Sequence, residues 1–222
     1  MTGTLALVGG GEFRPSCTFD RDLLEASGTD TVLVLPTGAA FEHPERSVSL
    51  AAAWFSQLGA QVEGLMVLRR TEAFLPEHAD IVRASRFTYV VGGSPMHLRS
   101  VLKDTPLWEA MQEALADGGV LAGSSAGAMV LSDPMVDPRG GAFTLGLGLV
   151  HPLAVVPQVE QWSPDRLHRT LDLADEDHDH IVLALESGSA AIRDPEGTWR
   201  THGRVTVYRG HTPVALDALP RA

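Results

Sequence analysis

Cysteine, lysine and long apolar runs are nearly or wholly missing from this 222-residue chain, and each absence excludes something. A single cysteine, Cys17, excludes an internal disulfide framework and fits a reducing compartment. Nothing else in the sequence points at Cys17, so it reads as a small buried apolar filler. A single lysine, Lys103, and scattered arginines stand against a formal net charge of -11. That leaves no basic stripe to neutralise phosphates, and no nucleic-acid partner is expected. No apolar run approaches the ~20 residues that span a bilayer. The first apolar stretch, in MTGTLALVGGGEF, lacks a basic head and breaks into glycines within a few residues, so it reads as a strand and not as an export signal. A cytoplasmic protein without membrane contact is the expectation.

What is present suits one globular α/β domain over residues 1–222, with 44% hydrophobic and 20% charged residues and no linker, repeat or low-complexity tract. Nearly all-apolar runs at 5–8, 31–36, 62–68, 87–91 and 119–123 predict strands covered on both faces. Between them lie helical faces such as Ala51, Trp54, Phe55 and Leu58, or Leu107, Met111 and Leu115. This alternation predicts a three-layer α/β/α fold with a mainly parallel, doubly wound sheet. After residue 150 the pattern shifts to short strands at 153–159, 180–186, 189–194 and 204–210, with one helix around 164–173, a strand-rich C-terminal section.

The chemistry concentrates in GGVLAGSSAGAMVL, residues 118–131. Gly123-Ser124-Ser125-Ala126-Gly127 is a G-x-S-x-G between a predicted strand and a predicted helix, the context of a nucleophile elbow. Ser125 is the candidate nucleophile, and the Ala126 amide at the helix start is a candidate oxyanion donor. A second strand ends in Gly92-Gly93 and runs into a helix, where ligands of open α/β sheets gather. Gly93 is the second candidate donor and Gly92 a candidate substrate contact. The acidic run DLADEDHDH (172–180) offers His178 and His180 as metal ligands, but a solvated loop is the simpler reading, so neither a metal nor a cofactor is expected.

GGGE (9–12), VLVLPTGA (32–39), VVGGSPMHL (90–98) and GSSAGA (123–128) follow one another in an order that resembles the dipeptidase E and cyanophycinase family of serine peptidases. The resemblance implies a class I glutamine-amidotransferase-like fold, Ser125 as nucleophile and an oxyanion hole of the Gly93 and Ala126 amides. It adds Ser94 as a candidate substrate contact, at the position of a substrate-contacting Asn or Asp. A small peptide is the implied substrate, and a homodimer is left open. The family's histidine follows a GLGL-like stretch. Here GLGLV (146–150) is followed by VVPQV, with Gln158 or Val159 in the histidine's place. His97, beside the paired-glycine loop, is the first substitute base, ahead of His151 and His168. For the acidic partner Glu186 is the candidate, with Asp133 and Asp137 as alternatives. Two functions compete: a serine hydrolase of short or unusual peptides, and a catalytically impaired member that binds a small peptide or amino acid. Glutamine-amidotransferase chemistry is set aside, because it needs cysteine where Ser125 stands.

Overall fold

The computed structural model describes residues 3–176, without the Glu176 side chain, and 180–221. Five parallel strands, β1 (Thr4–Val8), β2 (Thr31–Leu35), β3 (Gln61–Gly64), β4 (Phe87–Val90) and β5 (Val120–Ser124), lie in the order β1-β5-β4-β2-β3. Their residues alternate between two buried clusters. Leu5, Leu7, Leu33 and Leu35 belong to one, while Ala6, Val8, Val32 and Val34 belong to the other. A strand that is apolar on both faces must be covered on both, which the period of two in side-chain direction makes unavoidable. Helices α1 (Phe19–Ser27) and α2 (Pro44–Gln57) cover one face; α3 (Pro76–Ala84), α4 (Pro95–Leu102), α5 (Pro106–Ala116) and α6 (Ala126–Leu131) cover the other. Four of these helices, α2 to α5, start on proline, whose fixed φ and missing N–H suit a helix's first position.

The strand-rich C-terminal section divides. Strands β10 (Ala190–Arg193) and β11 (Trp199–His202) extend the central sheet antiparallel beside β1, which brings it to seven strands. A second sheet, ordered β13-β12-β9-β8, is formed by β8 (Leu153–Pro157), β9 (Ile181–Leu185), β12 (Val205–Arg209) and β13 (Thr212–Val214). It packs onto α6 through the same apolar cluster, and α7 (Pro164–Glu176) packs on β9 and β12. A small ribbon pairs β6 (Met135–Val136) with β7 (Phe143–Thr144).

Two predicted strands end early. The run at 62–68 pairs only as far as Gly64, because β3 is a mostly exposed edge with no neighbour on its outer side among the described residues. The run at 153–159 stops at Pro157; Gln158 turns left-handed (φ 50) and its N–H donates to the Gly9 carbonyl. That turn aims the chain across the carboxyl ends of the central strands. No helix among the described residues is long and apolar enough to cross a membrane.

Candidate active site

β1, β5 and β4 end level with one another, Val8 opposite Ser124 and Val90 opposite Gly123, so the residues that follow all three strands meet. Ser125 follows β5 with φ 51 and ψ −111, a backbone conformation that non-glycine residues rarely adopt. Its N–H donates to the Val8 carbonyl at 2.9 Å, and its own carbonyl accepts the Met129 N–H at 3.0 Å. The strained residue is thus held from the strand side and the helix side. The glycines of the motif follow from closeness: a Cβ on Gly127 would run into the Val90 carbonyl.

The paired-glycine loop lies against this elbow. Gly93 has φ +121, and a side chain on it would strike the Gly38 carbonyl. The Gly92 N–H donates to Glu12 Oε1 (3.3 Å) and the Ser94 N–H to the Gly38 carbonyl (2.8 Å). Between them the Gly93 N–H has no acceptor among the described residues. Ala126 opens α6, so its N–H is one of the helix's four orphan donors.

Glu12 is the residue that the sequence reading left without a role. Its second oxygen accepts the Ser124 hydroxyl at 2.8 Å, so one carboxylate ties the paired-glycine loop to the end of β5. The available signal was a charged residue set directly after three glycines at the ligand-bearing end of a strand.

Two adjoining hollows open at Ser125. One, of about 250 Å³, is lined by Glu12, Glu42, Ser47, Gly92, Gly93 and Gln158. The other, of about 270 Å³, lies toward Met129, Gln158, Trp162 and Arg166. Arg166 stacks its guanidinium 3.9 Å over the Trp162 ring and donates to the Pro138 carbonyl at 2.6 Å, and burial lowers its pKa. Gln158 lines both hollows.

No described histidine lines either hollow. The His97 ring lies 3.0 Å by Nε2 from the Leu68 carbonyl and packs edge-on against Phe41. His151 is exposed, with Nδ1 3.1 Å from the Asp133 carbonyl, and His168 is exposed beside Asp172. Glu186 faces Arg204 at 3.6 Å. Asp133 holds the Gly146 N–H, and Asp137 is clasped by Arg139, whose hydrogen bonds lower its pKa. The Ser94 hydroxyl accepts the His97 N–H as the cap of α4, and Ser94 lines neither hollow. His178 lies outside the described residues. Beside Gln158, Glu160 binds the Ser187 hydroxyl (2.5 Å) and N–H (3.3 Å). Burial works against the Glu160 charge, but these bonds outweigh it and hold the carboxyl below its ordinary pKa.

A buried polar group lies between α1 and α2. Asp20 is fully buried and accepts Trp54 Nε1–H at 2.8 Å. Burial, opposed by the Trp54 bond and reinforced by the nearby Glu12 charge, pushes its carboxyl up to about 7.

The sequence profile of peptidase family S51 matches residues 5–198. The chain belongs to peptidase family S51. Among S51 relatives, a cyanophycinase of Geminocystis herdmanii is 24% identical, the match covering 98% of this chain and 87% of that protein. A cyanophycinase of Synechococcus elongatus is 28% identical over 82% of this chain, which spans 59% of that relative's length. A crystal structure of a peptidase from an acI-B1 Actinobacterium superposes with a TM-score of 0.84 at 32% identity, over 96% of this chain and 93% of the other. A putative peptidase E protein from Listeria monocytogenes superposes at 0.63 and 20% identity, over 94% and 99%, which speaks for the fold alone. The S51 resemblance and the α/β architecture expected from the sequence therefore both hold.

Proposed function

We propose that the protein is a serine hydrolase of short or unusual peptides in which Ser125 attacks the carbonyl and the Gly93 and Ala126 amides hold the resulting oxyanion. The observation that carries this reading is Ser125 itself, kept at a strained positive φ over an open hollow beside an unspent Gly93 N–H. Backbone strain of this kind costs on the order of 1–3 kcal/mol and persists where its surroundings enforce it.

Proton transfer is the weaker half. Gln158 occupies the hollow and cannot act as a base near neutral pH, while the carboxylates that line it are Glu12 and Glu42. Attack by Ser125 in this setting relies on the oxyanion hole and on water, and turnover is slow. Triad enzymes stripped of triad members retain roughly 10³- to 10⁴-fold acceleration over water. Turnover of a dipeptide panel that includes Asp-X and β-aspartyl-arginine peptides tests the proposal. Ser125→Ala should lose the hydrolysis of the parent chain; equal rates in the two would refute it.

A second reading has its own support, since Gln158 presents an amide to both hollows where a base is wanted. In it the site binds a small peptide or amino acid without cleaving it. Calorimetric binding that is the same in parent and Ser125→Ala, with no turnover in either, would favour this reading.

A further inference from the structure

Helix α7 packs its buried Leu171 and Ala174 into the apolar cluster of the second sheet, while Thr170 donates to the Gly141 carbonyl. On its exposed side His168 and Asp172 stand four residues apart, so they lie one above the other on the same face. The turn between β12 and β13 closes directly over this face. Gly210 (φ 53) permits the approach, because a side chain there would collide with the Asp175 carboxylate. The next residue, His211, thereby reaches Asp172, with Nε2 to Oδ1 at 2.7 Å; His168 Nε2 lies 3.6 Å from the same oxygen. The two imidazole rings are 4.5 Å apart, and the three ligand atoms all fall within 4.8 Å of one another.

We propose that His168, Asp172 and His211 form a binding site for a divalent transition cation of the zinc type. Bonds of about 2.0–2.2 Å in a tetrahedron set neighbouring ligand atoms about 3.3–3.6 Å apart; His168 and Asp172 already have that spacing at 3.6 Å, and the His211–Asp172 hydrogen bond of 2.7 Å opens by less than 1 Å to reach it. Two imidazoles and one carboxylate suit zinc and its neighbours, whereas calcium and magnesium favour all-oxygen sets. Three protein ligands leave a position open to solvent. The ion clips α7 to the β12–β13 hairpin, joining segments nearly forty residues apart in sequence by metal bonds instead of an exposed hydrogen bond. This site is separate from the Ser125 hollows and independent of the hydrolase reading.

Titration of zinc chloride into the full chain by calorimetry, repeated with cobalt(II) by visible absorption, tests it. The parent should bind one equivalent of zinc. Outer-layer partners of metal ligands are already worth about 10–100-fold in affinity, so His168→Ala and His211→Ala should each weaken binding by at least about tenfold and remove the cobalt bands. His151→Ala, an exposed histidine away from the cluster, should bind like the parent. A parent that takes up no zinc, or binding that survives either of the two ligand variants at full strength, overturns the proposal; the second result would place the ion elsewhere, for instance on His178 and His180.

Discussion

The two sides of the Ser125 hollows are built differently. On the side of β1, β4 and β5, backbone contacts dictate almost everything: a carbonyl blocks a side chain at Gly127, another blocks one at Gly93, and Glu12 joins both loops. On the side of β8 and β9, side chains decide: Gln158 lines both hollows, and beside it Glu160 binds Ser187. A backbone cradle tolerates few substitutions without collapse, whereas a side chain at a strand end can be exchanged while the fold is kept. That asymmetry lets the elbow keep its shape beside a wall that no described histidine lines.

The sharpest way to break this comparison is to give the permissive side a base. Positioned general bases contribute typically 10²–10⁴-fold. Gln158 already has the left-handed conformation that histidine accepts more readily than most residues. Either Gln158→His or the adjacent Val159→His should raise peptide turnover by about 10²-fold or more over the parent. If neither gains, the deficit does not lie in the missing base.

Asp20, buried between α1 and α2 and near the Glu12 charge, ties stability to pH. With a folded pKa of about 7 against an unfolded value near 4, the folded chain binds the extra proton within that window. Stability therefore decreases as pH rises from about 4 to about 7, by on the order of 2–4 kcal/mol, and levels off above. Asp20→Asn keeps an acceptor for Trp54 and abolishes the titration. Urea unfolding should find it more stable than the parent at pH 8 by up to a few kcal/mol, and about equal near pH 4.5; parallel curves at all pH values would remove Asp20 from the account.

Glu12→Gln leaves one acceptor oxygen for the two donors, Gly92 N–H and Ser124 Oγ–H, that the carboxylate now serves. Hydrogen bonds to charged groups are worth about 1.5–3 kcal/mol. Loosening the loop should lower kcat about tenfold with a smaller change in KM. An unchanged kcat would mean that the elbow and the loop hold their places without this bridge.

The smallest effect is expected at His97. Its ring is engaged with Leu68, so His97→Ala should alter turnover by less than about threefold and cost about 0.5–1.5 kcal/mol of stability for the lost hydrogen bond. A loss as deep as that of Ser125→Ala would instead make His97 the base.

Local pattern determined much of this protein. Nearly continuous apolar runs required a sheet covered on both faces, and small residues around Ser125 in a strand-turn-helix context required an elbow, because both constraints act within a few residues. The tertiary structure decided the rest. Glu12 meets partners 80 and 112 positions away, and the β12–β13 turn carries His211 onto a helix 39 positions earlier. His97, next to the paired-glycine loop in sequence, turns to Leu68, 29 positions back. Which side chain faces a cavity depends on the helix phase and on what packs behind it, and neither is written in the spacing of residues along the chain.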